Sequence, residues 1–91
     1  MNLKELIQDL YQLDLELHRF EQQFGVKSPE FYRAFQAGEL DEFDALDEYR
    51  LEFIEWAALY QTRLSLENKY QQLISRQPIV LFIKTAVRVS P

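Results

Sequence analysis

The sequence predicts a mainly α fold: an antiparallel helical hairpin with a short corner helix, followed by a strand-like C-terminal tail. Three observations carry that reading. Only two Gly and three Pro punctuate the 91 residues, so long stretches run without a breaker. From Leu3 to Phe24 the apolar residues recur at the period of a packed helix. After Pro78 the pattern changes to the alternation expected of an extended chain. The expected organisation is a hairpin domain over residues 1–77 and an interaction tail over 78–91.

Helix 1 is expected over about residues 2–24. Asn2 and Glu5 have the spacing of an N-terminal capping box. Leu3, Leu6, Leu10, Leu13, Leu17, Phe20 and Phe24 then follow at alternating steps of three and four, an unbroken seam of the kind one helix packs against another. Gly25 supplies a left-handed stop. A second, short helix is expected over about 29–37. Ser28 is a natural N-cap, Pro29 suits the first helical position, and Glu30 suits the positive end of the helix dipole. Gly38 ends it.

A third helix is expected over about 41–76, capped by Asp41 and free of Gly and Pro until Pro78. Phe43, Leu46, Phe53, Ala57, Tyr60 and Leu64 share its apolar face. Asp41, Asp44, Glu48, Glu52 and Glu55 form a stripe opposite, continued beyond Trp56 by Leu59, Leu66, Tyr70 and Leu73. At 1.5 Å per residue, helix 1 would be about 35 Å long and helix 3 about 54 Å. Leu3 would then lie near residues 62–64, and roughly the last dozen residues of helix 3 would overhang as an apolar patch, a usual mark of an interface.

In the tail, "PIVLFIKTAVRV", Ile79, Leu81, Ile83, Thr85, Val87 and Val89 fall on one side of an extended chain. The β-branched content also favours a strand. A strand needs a neighbour for its backbone groups, and no other segment offers one. The tail could pair with the same segment of a second chain, add to the sheet of another protein, or fold back on the helices as an extended or helical cover, or fray.

Composition narrows function by exclusion. The chain has no Cys, which removes disulfides, thiolate metal sites and cysteine nucleophiles and fits a reducing, cytoplasmic setting. The first residues are charged from Lys4 onward, unlike a signal peptide, and the longest apolar run, 79–83, is far short of the roughly 20 residues a membrane helix needs. The net charge of −5 is uneven. Residues 39–55 hold eight carboxylates against Arg50 alone, and residues 56–91 hold five basic residues against Glu67. An acidic middle repels nucleic acid and suits a basic partner.

No catalytic constellation emerges. His18 is the single histidine, with Leu15 where a Glu-x-x-His metal pair would need a carboxylate. No glycine-rich phosphate loop, Ser/His/Asp arrangement or zinc spacing is present. The residues therefore point to a non-catalytic protein with no cofactor and no metal. The carboxylates read first as a solvated face and second as an electrostatic docking surface, and the aromatics as core. "SPEFYRAFQAG" could open a helix-turn-helix, but an acidic helix follows where a recognition helix would be basic.

"GVKSPEFYRAFQAGEL", residues 25–40, with "FIEWAALYQ", residues 53–61, resembles a group of short helical antitoxin-like proteins of cyanobacteria and archaea. These share a pattern G-[MV]-x-S-x-E-F-Y-x-x-F-x-x-G-E-L followed by F-I-E-W-x-A-L-Y. The matching positions are Gly25, Val26, Ser28, Glu30, Phe31, Tyr32, Phe35, Gly38, Glu39 and Leu40, then Phe53–Trp56, Ala58, Leu59 and Tyr60, about a third of the chain. The longer, more helical segment between Leu40 and Phe53 and the apolar tail depart from the pattern. The resemblance implies an antitoxin-type partner that neutralises a small basic toxin by occlusion. On that expectation Leu59, Leu66, Tyr70 and Leu73 dock or dimerise, Ile79, Leu81 and Ile83 fill a partner's pockets, and Glu48, Glu52 and Glu55 face its cationic site. The alternative is a self-assembling helical scaffold, with the chain itself, as a homodimer or larger oligomer, as its partner.

Overall fold

A computed structural model describes residues 2–44 and 49–89 of the chain. Among the described residues five helices follow in order: α1 (Leu3–Phe24), α2 (Ser28–Gln36), α3 (Asp41–Asp44), α4 (Arg50–Ile74) and α5 (Ile79–Val89). α1 and α4 pack as the two arms of a hairpin, and α2 crosses at its closed end against α4.

The first helix forms as its sequence dictates. Asn2 Oδ1 accepts a 2.9 Å hydrogen bond from the Glu5 amide, satisfying one of the free donors at the helix start. Gly25 ends it at φ +71°, with its amide on the Glu21 carbonyl at 2.8 Å. Gly is needed there because a side chain strains that left-handed conformation. Leu6, Leu10, Leu17 and Phe20 of the seam are buried, and Leu3, Leu13 and Phe24 half-buried.

The pairing register of the hairpin differs from the expected one. Asp14 meets Arg63, Phe20 stacks near Trp56, and Phe24 meets Phe53, so the numbers of facing residues sum to 76 or 77. Leu3 accordingly lines one cleft with Leu73, not with residues 62–64. The apolar overhang disappears, because Leu66, Tyr70, Leu73 and Ile74 are half-buried. The cause lies at the corner. The expected helix over 41–76 is replaced by α3 and α4, and Tyr49, at φ −115° and ψ 1°, precedes α4 outside helical geometry. Because α4 begins only at Arg50, α1 and α4 are of similar length, 22 and 25 residues. Packing favours the break. Tyr49 leaves the helix, freeing the segment to fold back. A continuous helix would hold Phe43, ten residues from Phe53, about 15 Å away from it along the axis, whereas here both Phe43 and Tyr49 contact Phe53. Residues 45–48, with Leu46 and Glu48 of the expected faces, lie outside the described residues.

The larger part of the core sits at the corner end, with Leu6 and Leu10 buried between α1 and α4 towards the open end. Leu17, Phe20, Phe31, Phe53, Trp56 and Ala57 form one buried cluster, banked by half-buried Phe24, Tyr32, Phe35, Phe43 and Tyr49 among others. The Trp56 indole is 1% exposed and lies parallel to the Phe31 ring, 3.7 Å between centroids and 4° between planes. Leu64, expected on the apolar face, is exposed.

The tail is a helix, which corrects the expectation of a strand over 79–89. An isolated strand would leave a row of amides and carbonyls unpaired, whereas a helix satisfies them within the segment. The sequence misleads because Ile79, Ile83 and Val87 are spaced by four, which suits both one side of a strand and one face of a helix. Phe82 and Ala86 complete the i, i+3, i+4, i+7, i+8 set that only a helix uses. Pro78, whose carbonyl accepts from the Leu81 amide at 3.0 Å, stands just before the new helix, where a proline costs no hydrogen bond.

The molecule is long and thin, 58 × 23 × 20 Å, with a radius of gyration of 17.4 Å. A compact 91-residue chain would have about 12 Å. The accessible surface of 6892 Å² likewise exceeds the roughly 5,600 Å² expected for a compact protein of 10.9 kDa.

Candidate docking surfaces

Two apolar features stand out, one at each end of the hairpin. At the open end, α5 follows α4 after only residues 75–78. Phe82 is half-buried and shares a cleft with Leu3 and Leu73. The rest of the apolar surface of α5 is open: Ile79 and Ile83 are each 58% exposed, Val87 65%, and Val80 and Leu81 are exposed as well. At 100° per residue, Ile79, Ile83, Val87 and Val80 span one 100° arc, with Lys84 at its border. These residues form a contiguous open apolar face, on a helix with no carboxylate, and are not scattered singly.

At the closed end, α1, α2, α3 and the start of α4 enclose a groove of about 500 Å³. Its wall is apolar and largely aromatic, with Phe24, Val26, Ala34, Leu40, Tyr49 and Phe53 around Trp56. Gln23 and Glu30 supply polar groups. Beside it, Gln23 Nε2 donates to Glu52 Oε2 at 2.7 Å. The volume and the apolar lining are those of a cleft able to take apolar groups.

A third, more polar cleft of about 480 Å³ lies along the hairpin, lined by Tyr11, Asp14, His18, Glu21, Ser28 and Arg63 among others. Ser28 is the informative residue in it. Expected as an N-cap, it stands instead inside the first turn, after Lys27, and is 2% exposed. Its amide and its hydroxyl both donate to Glu21 Oε2 at 2.8 Å, and the hydroxyl oxygen accepts from Trp56 Nε1 at 2.9 Å. Donor and acceptor are thus both engaged, so this hydroxyl ties α1, α2 and α4 together and is not held against a base. His18 is exposed and its Nδ1 lies 3.6 Å from Glu21 Oε1. Arg63 Nε donates to Asp14 at 2.9 Å and Nη1 to Glu67 at 3.3 Å. The Asp14 hydrogen bond leads in raising the guanidinium pKa above its ordinary value, and partial burial opposes it. Among the described residues no group of three or more His, Cys, Asp or Glu could hold a metal ion. No helix among them is long and apolar enough to cross a membrane.

The sequence-predicted binding residues are therefore divided. Leu59, Leu66, Tyr70 and Leu73 are half-buried in the hairpin, Leu59 against the aromatic cluster. Ile79, Leu81 and Ile83 are exposed, on a helix instead of a strand. Glu55 is exposed, Glu52 is half-buried against Gln23 at the helix seam instead of opposite it, and Glu48 lies outside the described residues. Sequence reasoning missed the groove, whose walls come from four separate segments, and the Glu21–Ser28–Trp56 bridge. A buried Trp needs a partner for its N–H, which was the one available hint of that bridge. No protein-family model matches the chain, and comparison with curated proteins and with solved structures gives no match.

Proposed function

We propose that this protein is a non-catalytic protein-binding module and that α5 is its binding element. The observation that carries the reading is the open apolar arc of Ile79, Val80, Ile83 and Val87 on an otherwise ordered amphipathic helix. A helix of this kind binds by laying its apolar face into a partner's groove, replacing the strand-addition mode that a β tail would have used. In the antitoxin-type form of this function, the partner is a small basic protein. The carboxylates of residues 39–55 speed its approach, and binding covers its working surface. Occlusion then does the work, with no chemistry and no cofactor.

The test is capture from native lysate with the tagged full-length chain beside its Ile83→Glu and Val87→Glu variants. A small basic protein held by the parent chain and lost from both variants is the expected result. Identical sets of proteins on all three would sink the role of α5. Reversing Glu48, Glu52 and Glu55 to Lys should slow association with that partner while the helical circular dichroism signal stays unchanged.

The second reading, a self-assembling helical scaffold, is favoured by one specific observation. The apolar helix and the apolar groove lie at opposite ends of one chain, and the two ends differ in charge.

A further inference from the structure

We infer that the groove of the closed end is the receptor for α5 of a second copy of this chain, in a reciprocal two-fold pair. The inference rests on α5 being the binding element. It takes the self-assembling form of that function: the partner of α5 is a second copy of the chain, and the groove gains a function.

Charge selects the occupant. Residues 39–55, from which Leu40, Phe43, Tyr49 and Phe53 line the groove, carry eight carboxylates and a single Arg in sequence, and Glu30 also lines the groove. From Asn68 to Pro91 the chain has no carboxylate and carries Lys69, Arg76, Lys84 and Arg88. The segment that needs an apolar groove is thus the most basic part of the molecule, and the groove sits in its most acidic part. Opposite potentials on matching surfaces attract and fix orientation.

Geometry excludes the chain's own α5. The register places Leu3, Leu73 and Phe82 at one end of the hairpin and Phe24, Tyr49 and Phe53 at the other. The ends are separated by the length of α1, 22 residues or about 33 Å. Residues 75–78 are the only link between α4 and α5 and span at most about 14 Å. The 11 residues of α5 add about 17 Å, so even the far tip of α5 falls short of the groove. The groove is out of reach in cis and open in trans.

Two copies laid antiparallel bring each α5 to the other's groove. Both contacts then form at once, the arrangement closes, and it does not propagate. A single short helix in a groove sits at the small end of stable interfaces, so the doubling matters. Ile79, Ile83 and Val87 enter the groove beside Val26 and Ala34, and Lys84 meets Glu30 at its edge.

The test uses two full-length surface variants and their mixture. Ile83→Glu spoils α5 and leaves the groove, and Val26→Glu spoils the groove and leaves α5. Both side chains are exposed, so neither change empties the core. By light scattering after size exclusion, the parent chain should run at about twice 10.9 kDa, and each variant should associate at least tenfold more weakly. An equimolar mixture should associate more tightly than either variant alone and more weakly than the parent, because one intact helix then faces one intact groove. A mixture no tighter than the variants alone overturns the inference. Circular dichroism of each variant checks that it is folded.

A parent chain that stays monomeric overturns the inference. So does a dimer that Ile83→Glu breaks while Val26→Glu leaves it whole, although that outcome keeps α5 as the binding element. A dimer indifferent to Ile83→Glu, with captured proteins also unchanged, overturns both readings.

Discussion

The closed and open ends of this hairpin solve the same problem unequally. At the closed end, α1, α2, α3 and α4 converge, so Phe20, Phe31, Phe53 and Trp56 find neighbours on several sides and are almost fully removed from water. At the open end only α1, α4 and the start of α5 meet, and of residues 79–87 Phe82 alone is not exposed. The apolar residues are comparable in hydrophobicity, so the contrast comes from the number of segments that converge. A 91-residue chain has enough backbone to surround one end, and the other is left as surface for something else to cover.

Breaking the closed end should have the largest effect. Trp56→Ala removes the ring stacked on Phe31 and the donor held by Ser28, and should cost about 3–5 kcal/mol. That is a large part of the roughly 5–15 kcal/mol typical of such domains. Urea unfolding followed by circular dichroism would measure it, and a loss below about 1 kcal/mol would mean the core lies elsewhere.

Ser28→Ala should come next, at about 1–3 kcal/mol, because the Trp56 N–H loses its buried acceptor and Glu21 a donor. The Trp56 fluorescence maximum should move as well, since this is the chain's single tryptophan. Asn2→Ala, which removes the cap on α1 at the open end, should cost about 1 kcal/mol. Arg63→Met, midway along the arms, should cost about 0–1 kcal/mol, because the pair with Asp14 is partly exposed and screened. The smallest effect on folding belongs to α5. Ile83→Glu should leave the unfolding midpoint nearly unchanged, and amide exchange in the isolated chain should be faster across α5 than across α4. Protection of α5 that rises with protein concentration would show the open end being covered by a second copy.

Much of the fold was legible in the sequence, for reasons that can be named residue by residue. The seam from Leu3 to Phe24 has a single period, and Asn2 and Gly25 mark its ends with residues whose side-chain chemistry or backbone freedom suits those positions. The corner was legible only in part, since Pro29 and Gly38 mark α2 but nothing local shows that Tyr49 interrupts the next helix. The candidate site was least legible. Ile79, Leu81 and Ile83 share one side only on a strand, whereas on the helix Leu81 falls opposite the other two, and the steps of four from Ile79 to Val87 suit either structure. Val26, Ala34 and Tyr49 carry no sequence signal that would join them in one groove.

By itself, then, the sequence determined what depends on neighbours a few residues away: the helical class, the first helix and its caps, the punctuation of the second, and the separation of acidic and basic segments. Tertiary structure decided what depends on residues far apart. It set the register through Arg63 and Asp14 and through Phe24 and Phe53, broke the third helix so that Phe43 and Tyr49 could meet Phe53, and buried Ser28 as the acceptor for Trp56. It also left α5 uncovered. Local periodicity encodes which face of a segment is apolar, but burial of that face depends on which other segments reach it.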